Sequence, residues 1–184
     1  MSSVDKRIAQ LQANGIVDLH FDLLMDLYGK RDRSDVLVTD FLPEFKAGDV
    51  DVLAAAIYIE DQYLPDRALA VGLGQIARLY VERDRSDCFV ICKSFSEIRR
   101  AREQGKIALL IAMEGIEPIG ADLDLLRIFY ELGVRVIGLT HAGIQGDKRC
   151  RRHVAPRRSG LQLAQDLHRI FGSSKRRVHL PQET

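Results

Sequence analysis

The sequence predicts an α/β fold of the (β/α)8 TIM-barrel type, incomplete, with about five or six βα units in its 184 residues. First, strand-sized apolar segments alternate with helix-like segments, which is typical of parallel βαβ units. Second, the segments 50–59 and 106–113 are apolar along most of their length, as strands covered on both faces must be. Third, several of these strands end in a histidine or a carboxylate, and barrel enzymes carry their chemistry at that edge.

The elements can be justified in chain order. The first helix is expected over 5–14, where Asn14-Gly15 ends it, and the first strand over 15–20, with Ile16 and Val17 in its body. Residues 23–34 read as irregular or short helical structure. A short helix over 40–48 closes at a glycine, and the apolar strand 50–59 follows it.

The second half of the pattern continues the alternation. Pro65 is expected to open a helix whose apolar spacing runs from 67 to 83, before a third strand over 88–92. Ser94 and Glu97 have the spacing of a capping box, so a helix begins there, and Gly105 stops it. A strand over 106–113, a helix from about residue 122 and a strand over 134–140 complete the series.

A doubly wound sheet is the competing architecture. Such sheets usually carry a glycine-rich turn after the first strand, whereas this turn reads His20-Phe21-Asp22. The glycines at 72 and 74 lie inside a helical pattern and so do not form a phosphate loop. The barrel is therefore the favoured reading.

Composition indicates a cytoplasmic protein without a membrane partner. No apolar run reaches the roughly 18 residues of a membrane helix, and the first residues lack the apolar core of a signal peptide. Three cysteines form neither a disulfide framework nor a zinc-finger spacing. Cys88 and Cys92 are expected in or beside a buried strand.

Charge divides the chain into two predicted parts. Residues 1–147 carry 17 Lys and Arg against 24 Asp and Glu, whereas residues 148–184 carry 10 against 2. We interpret 1–147 as one part of the chain and 148–184 as a basic tail that is truncated or frame-shifted. A nucleic-acid-binding tail is the alternative, but the segment has one aromatic residue, Phe171, so no specific nucleic-acid partner is expected. The open sheet edge would allow homo-oligomers to form.

Four residues at strand ends are candidates for chemistry. His20 and Asp22 close the first strand, Glu114 follows the fourth and His141 follows the fifth. Alternate residues of a strand share a face, so His20 and Asp22 can converge as an imidazole–carboxylate half-site for zinc or a similar ion. Glu114 could reach the same point across a closed barrel. Structural roles stay open: a plain His20–Asp22 hydrogen bond, a loop carboxylate at 114 or a core histidine at 141.

Three segments resemble the renal or membrane dipeptidase family, over about residues 14–147. Residues 16–23 (IVDLHFDL) resemble its opening motif, and residues 112–115 (AMEG) its central Glu-Gly segment. The most specific stretch is 125–141 (LLRIFYELGVRVIGLTH), which is similar to the family's helix, Gly-Val-Arg turn and Leu-Thr-His strand end. The resemblance implies a metal-dependent peptidase on an amidohydrolase-type barrel, with residues 1–147 as the N-terminal half of that metal-dependent hydrolase barrel. Other hydrolases of that barrel more often begin with His-x-His, so His-x-Asp favours the dipeptidase.

The resemblance also implies a role for each candidate. His20 and Asp22 would bind one zinc of a pair, Glu114 would bridge both, and His141 would contact a dipeptide substrate, whose amide is attacked by a metal-bridging hydroxide. The family takes two further histidines and an acidic residue from later strands. Residues 1–184 are therefore expected to hold at most one zinc well and to hydrolyse dipeptides slowly or not at all. The alternative is a non-catalytic relative that acts as a binding or partner subunit.

Overall fold

Helices and strands alternate along the residues that the computed structural model describes, which are 2–12, 15–120 and 122–138. In chain order they are α1 Ser3–Gln12, β1 Ile16–Phe21, α2 Leu23–Gly29, a π-helical turn Leu37–Phe41, α3 Leu42–Ala47, β2 Val50–Ile57, a 3-10 turn Asp61–Tyr63, α4 Ala68–Arg83, β3 Phe89–Ile91, α5 Phe95–Glu103, β4 Ile107–Met113, α6 Leu125–Glu131 and β5 Val134–Ile137. The alternation expected from the sequence is confirmed. None of these helices is both long and apolar enough to cross a membrane.

All strand pairs in the described sheet are parallel, which confirms the predicted fold class; the barrel is not closed. β2 lies between β1 and β4. The other edge of β4 is shared: β3 pairs with its first residues, Ile107–Leu109, and β5 pairs from Ile111 onwards. At the carboxyl edge the strands therefore run in the order β1, β2, β4, β5, because β3 reaches only the amino half of the sheet.

The main core lies on one face of the sheet. It contains Leu53, Leu109 and Ile111 of the strands, together with buried side chains of α2, α4 and α6, among them Leu24, Leu79 and Phe129. On the opposite face, Val52 and Ala108 pack with Cys92 and with Ala101 of α5. β2 and β4 are thus buried on both faces, as their continuous apolar sequence predicts. Cys88 is half-buried just before β3 and Cys92 is buried just after it, as expected.

Local signals in the sequence explain ends of three helices, α1, α5 and α6. The Ser94 hydroxyl accepts the Glu97 N–H at 3.3 Å, which confirms the predicted start of α5. Gly105, with φ +66°, follows α5, and Gly133, with φ +112°, follows α6; both conformations favour glycine. α1 begins earlier than expected because Ser2 and Asp5 cap it reciprocally, with the Asp5 N–H 3.1 Å from the Ser2 hydroxyl.

Pro65 does not open α4. The helix begins three residues later, at Ala68, and Pro65 lies in the preceding turn. The prediction placed the helix start too early because a proline is also compatible with a turn.

The two buried polar side chains of the described residues lie on α4. Gln75 donates to the Tyr58 carbonyl at 2.6 Å, just beyond β2. Glu82 accepts the Leu37 N–H at 2.9 Å and pairs with Arg78, whose guanidinium also donates to the Arg33 carbonyl. One helix face thereby holds two connections of the chain, the one that follows β2 and the one that precedes α3.

Candidate metal centre

Three of the four candidate residues meet at the carboxyl end of the sheet. His20 is the next-to-last residue of β1, Asp22 directly precedes α2, and Glu114 directly follows β4. The His20 Nε2 lies 3.4 Å from an Asp22 carboxylate oxygen and 3.5 Å from a Glu114 carboxylate oxygen. One ligand atom from each residue lies within 4.8 Å of the other two, and no other such group of three occurs among the described residues.

These separations fit a single metal ion. Two ligand atoms bound about 2.0–2.2 Å from one tetrahedral zinc are about 3.3–3.6 Å apart, which matches both contacts of His20. Imidazole nitrogen and carboxylate oxygen are common zinc donors, and the two carboxylates would offset the charge of a divalent cation. The arrangement therefore has the donor types for a metal, and both His20 contacts have the separation expected of two ligands on one ion.

The position of Glu114 relative to His20 differs from the sequence-based prediction in one respect. Glu114 reaches His20 across one intervening strand, β2, rather than from three strands away across a closed barrel. The reason is the strand order: β4 pairs directly with β2, because β3 lies on the other edge of β4 and not between β2 and β4.

A bulge in β1 directs His20 to the site. Asp18 is opposite Leu53 of β2, but Phe21 is opposite Ala55, so β1 contains one residue more than β2 over this interval. Phe21 consequently packs against the core, with its ring centroid 5.5 Å from that of Phe45. The His20 side chain remains 53% exposed.

Glu114 is held by regular sheet hydrogen bonds. Its N–H donates to the Ile57 carbonyl of β2 at 3.1 Å, and the Gly138 N–H donates to the Met113 carbonyl at 2.8 Å. A Cβ on Gly138 would lie 2.5 Å from the Glu114 carbonyl oxygen, so only glycine permits this close approach. The Glu114 side chain is 14% exposed, much less than its partners.

Further carboxylates surround the end of β2, and the sequence analysis did not single them out. Burial first, and then the charges of Asp61, Glu114, Glu117 and Glu60, raise the pKa of Tyr58. These carboxylates place negative charge at this end of the sheet, and such charge favours a cation. Glu60-Asp61 directly after an apolar strand is the signal that could have located this rim.

Two predictions fall on residues outside those described. His141, the predicted substrate contact, and the tail 148–184 both lie there, so they stay predictions. A groove of about 450 Å³ lies at the opposite, amino end of the sheet, beside Arg83, Arg85 and Lys106. It contains no histidine, and we place the site at the carboxyl end, where the donor atoms converge.

Comparisons with known proteins point to one family of enzymes. A family model described as membrane dipeptidase (peptidase family M19) matches residues 5–155. An uncharacterized dipeptidase of Schizosaccharomyces pombe is 43% identical over 53 residues, which are 29% of this chain and 12% of that protein. An uncharacterized protein of Acinetobacter calcoaceticus is 44% identical over 48 residues, 26% of this chain and 15% of that protein.

Two solved structures share the fold. The crystal structure of a dipeptidase described as an M19 metallopeptidase aligns with a TM-score of 0.61 and 28% identity, over 67% of this chain and 42% of that one. A metallopeptidase from Rhodobacter sphaeroides, liganded with a phosphinate mimic of the dipeptide L-Ala-D-Ala, aligns with a TM-score of 0.61 and 26% identity, over 67% of this chain and 44% of that one.

The chain thus spans less than half the length of the solved structures that it matches. The family model nevertheless covers most of its sequence and includes all three residues whose side chains converge, as well as His141. On that match the chain belongs to the membrane dipeptidase family, peptidase family M19.

Proposed function

We propose that this chain supplies the first ligands of the metal site of a zinc-dependent dipeptidase. The observation that carries the proposal is the convergence of His20, Asp22 and Glu114, with both His20 contacts at the separation expected around one tetrahedral zinc. Membership of a metallopeptidase family supports the use of a metal. The identity of the ion as zinc rests on the donor set of one imidazole and two carboxylates.

The substrate class follows from a relative. The Rhodobacter sphaeroides enzyme binds a phosphinate mimic of a dipeptide, and a phosphinate has the tetrahedral geometry that an amide carbon acquires during hydrolysis. We therefore propose dipeptides as substrates of this chain's site, with His141 as a substrate contact.

Each described ligand would have a distinct task. The imidazole of His20 offers a neutral donor, whereas Asp22 and Glu114 bring negative charge to offset that of the cation. Glu114 has two carboxylate oxygens and the least exposed side chain, which suits it to contact two ions. His20 and Asp22 are about half exposed, so the site is open on the side from which a substrate would approach. A bound divalent ion would lower the pKa of water and polarise the scissile carbonyl.

Metal content tests the proposal directly. The metal-free chain is titrated with Zn²⁺ by calorimetry, and bound zinc is then counted by elemental analysis after desalting. We expect about one equivalent for the wild-type chain and strong loss of binding for His20→Ala. Glu44→Gln, a change at an exposed carboxylate of α3, is the matched control and should bind as the wild type does. Absence of zinc binding by the wild-type chain would refute the proposed metal site.

Hydrolysis is assayed separately with a set of dipeptides. The resemblance assigns two further histidines to later strands, so residues 1–184 alone should turn over slowly or not at all. Rapid hydrolysis that a chelator abolishes would contradict this part of the proposal, while leaving the metal site intact.

A further inference from the structure

The bulge in β1 decides which face His20 occupies. If β1 continued regularly from the Asp18–Leu53 pair, His20 would stand opposite Ala55, whose side chain is fully buried in the main core. The extra residue moves Phe21 into that position and leaves His20 at the open end of the strand, because a one-residue slip reverses the face of every following side chain.

A bulge also interrupts the hydrogen bonds between strands. Here the Asp18 side chain compensates, because its Oδ1 accepts the His20 N–H at 2.9 Å. This is the contact by which an aspartate holds the backbone two residues ahead of it in a turn-like conformation. Asp18 is half-buried and does not belong to the group of converging ligand atoms, so any action on the site would pass through His20.

We propose that Asp18 is a positioning residue that fixes the β1 bulge and thereby aims the His20 imidazole at the metal site. The inference rests on the proposed metal site for its functional meaning, but the Asp18–His20 contact can be tested without any metal. A residue that orients a ligand in this way typically changes metal affinity by about 10–100-fold when it is removed.

The test compares three variants of the full chain. Asp18→Ala removes the acceptor, Asp18→Asn keeps an acceptor oxygen but no charge, and Asp51→Ala is the matched control. Asp51 lies at the amino end of β2, where it pairs with Arg102 at 2.9 Å, far along the strand from the ligands. Zn²⁺ affinity is measured by competition with a chromophoric chelator, and thermal unfolding is measured in parallel.

We expect Asp18→Ala to weaken Zn²⁺ binding by about 10–100-fold, Asp18→Asn to stay within about threefold of the wild type because the acceptor remains, and Asp51→Ala to bind as the wild type does. A purely structural role would instead lower the unfolding temperatures of Asp18→Ala and Asp51→Ala without separating their affinities. Wild-type affinity in Asp18→Ala would overturn the inference, as would equal losses in Asp18→Ala and Asp18→Asn.

Hydrogen exchange of the His20 amide provides a second, metal-free measurement. In the wild-type chain this amide should exchange slowly, and in Asp18→Ala it should exchange at least about tenfold faster. Rapid exchange in the wild type would overturn the inference even where Asp18→Ala does not fold. If the wild-type chain binds no Zn²⁺ but protects this amide, then the proposed function fails and the Asp18–His20 contact stands.

Discussion

β1 and β4 bring the proposed metal ligands to the same point by different means. β4 is a central strand with partners on both edges, and its side chains are buried almost throughout. β1 pairs only with β2 among the described strands, contains a bulge, and leaves Val17 54% and Leu19 74% exposed. Glu114 therefore takes its position from the packing of the whole sheet, whereas His20 takes its position from a local irregularity.

The contrast leads us to expect that fold stability and the proposed metal binding are separable in this molecule. Substitutions within β4 should lower the free energy of unfolding more than they change the metal affinity. Substitutions at the end of β1 should weaken metal binding while the chain stays folded. The following predictions test that separation, from the largest expected effect to the smallest.

Leu109→Ala and Leu19→Ala remove the same atoms from the two strands. Leu109 is fully buried in the main core, so its truncation should lower the free energy of unfolding by about 2–5 kcal/mol. Leu19 is largely exposed, and its truncation should change that free energy by no more than about 0.5 kcal/mol. Urea unfolding followed by circular dichroism measures both, and equal losses would remove the contrast.

Glu114→Ala and His20→Ala each remove one proposed ligand. Both should weaken Zn²⁺ binding by more than about 100-fold, since removing a ligand costs more than removing a group that supports one. The unfolding free energy of the metal-free His20→Ala chain should stay within about 0.5 kcal/mol of the wild type, because His20 is half exposed. A variant that loses stability but keeps its zinc affinity would show that the residue is not a ligand.

The thiol reactivities of Cys92 and Cys88 measure how well the face of the sheet opposite the main core is shielded from solvent. Burial, and to a smaller extent the charge of Glu97, raises the pKa of the Cys92 thiol to about 11. At pH 8, roughly 0.1% of this thiol would be ionised, so a disulfide reagent should label Cys88 much faster in a chain with Cys150→Ser. Reactivity of Cys92 should rise as the pH approaches 11, and both thiols should react alike in denaturant. Rapid labelling of Cys92 in the folded chain would show that this face opens.

Asp40 offers the smallest effect, in the connection between α2 and α3. Hydrogen bonds from Arg33 and Thr39 hold the pKa of the half-buried Asp40 well below its usual range. A lowered pKa in the folded state stabilises the fold above the ordinary carboxyl pKa of about 4, and this contribution is lost as the pH falls. Asp40→Asn should therefore be less stable than the wild type at pH 7, with a difference that shrinks toward pH 3. An undiminished difference at pH 3 would mean that the charge is not its source.

Much of the fold could be predicted because its signals are local. The apolar runs of β2 and β4, the cap at Ser94 and the glycine that follows α6 are each visible within a few residues of sequence. Two features could not be predicted in this way: the place of β3 in the sheet and the π-helical turn Leu37–Phe41. Both depend on pairing with distant residues: β3 on the register of β4, and the turn on the buried Glu82, whose carboxylate binds the Leu37 N–H.

The candidate site was predicted as a meeting of strand ends, and its three described members do meet. Strand alternation, the reason given for pairing His20 with Asp22, covers only part of the geometry. Asp22 lies beyond β1 at φ −76° and ψ 37°, outside extended conformation, and His20 is directed by the bulge. A bulge depends on how two strands pair, so it cannot be predicted from the sequence of one strand alone.

Gly138 has a consequence for engineering. A methyl group at residue 138 would collide with the Glu114 carbonyl oxygen. The segment that follows β5 can therefore approach the end of β4 this closely only with a glycine at that position. A chimera that joins this chain to strands of another barrel should therefore have its junction after residue 138. Gly138 and Glu114, which contact each other, would then both come from this chain.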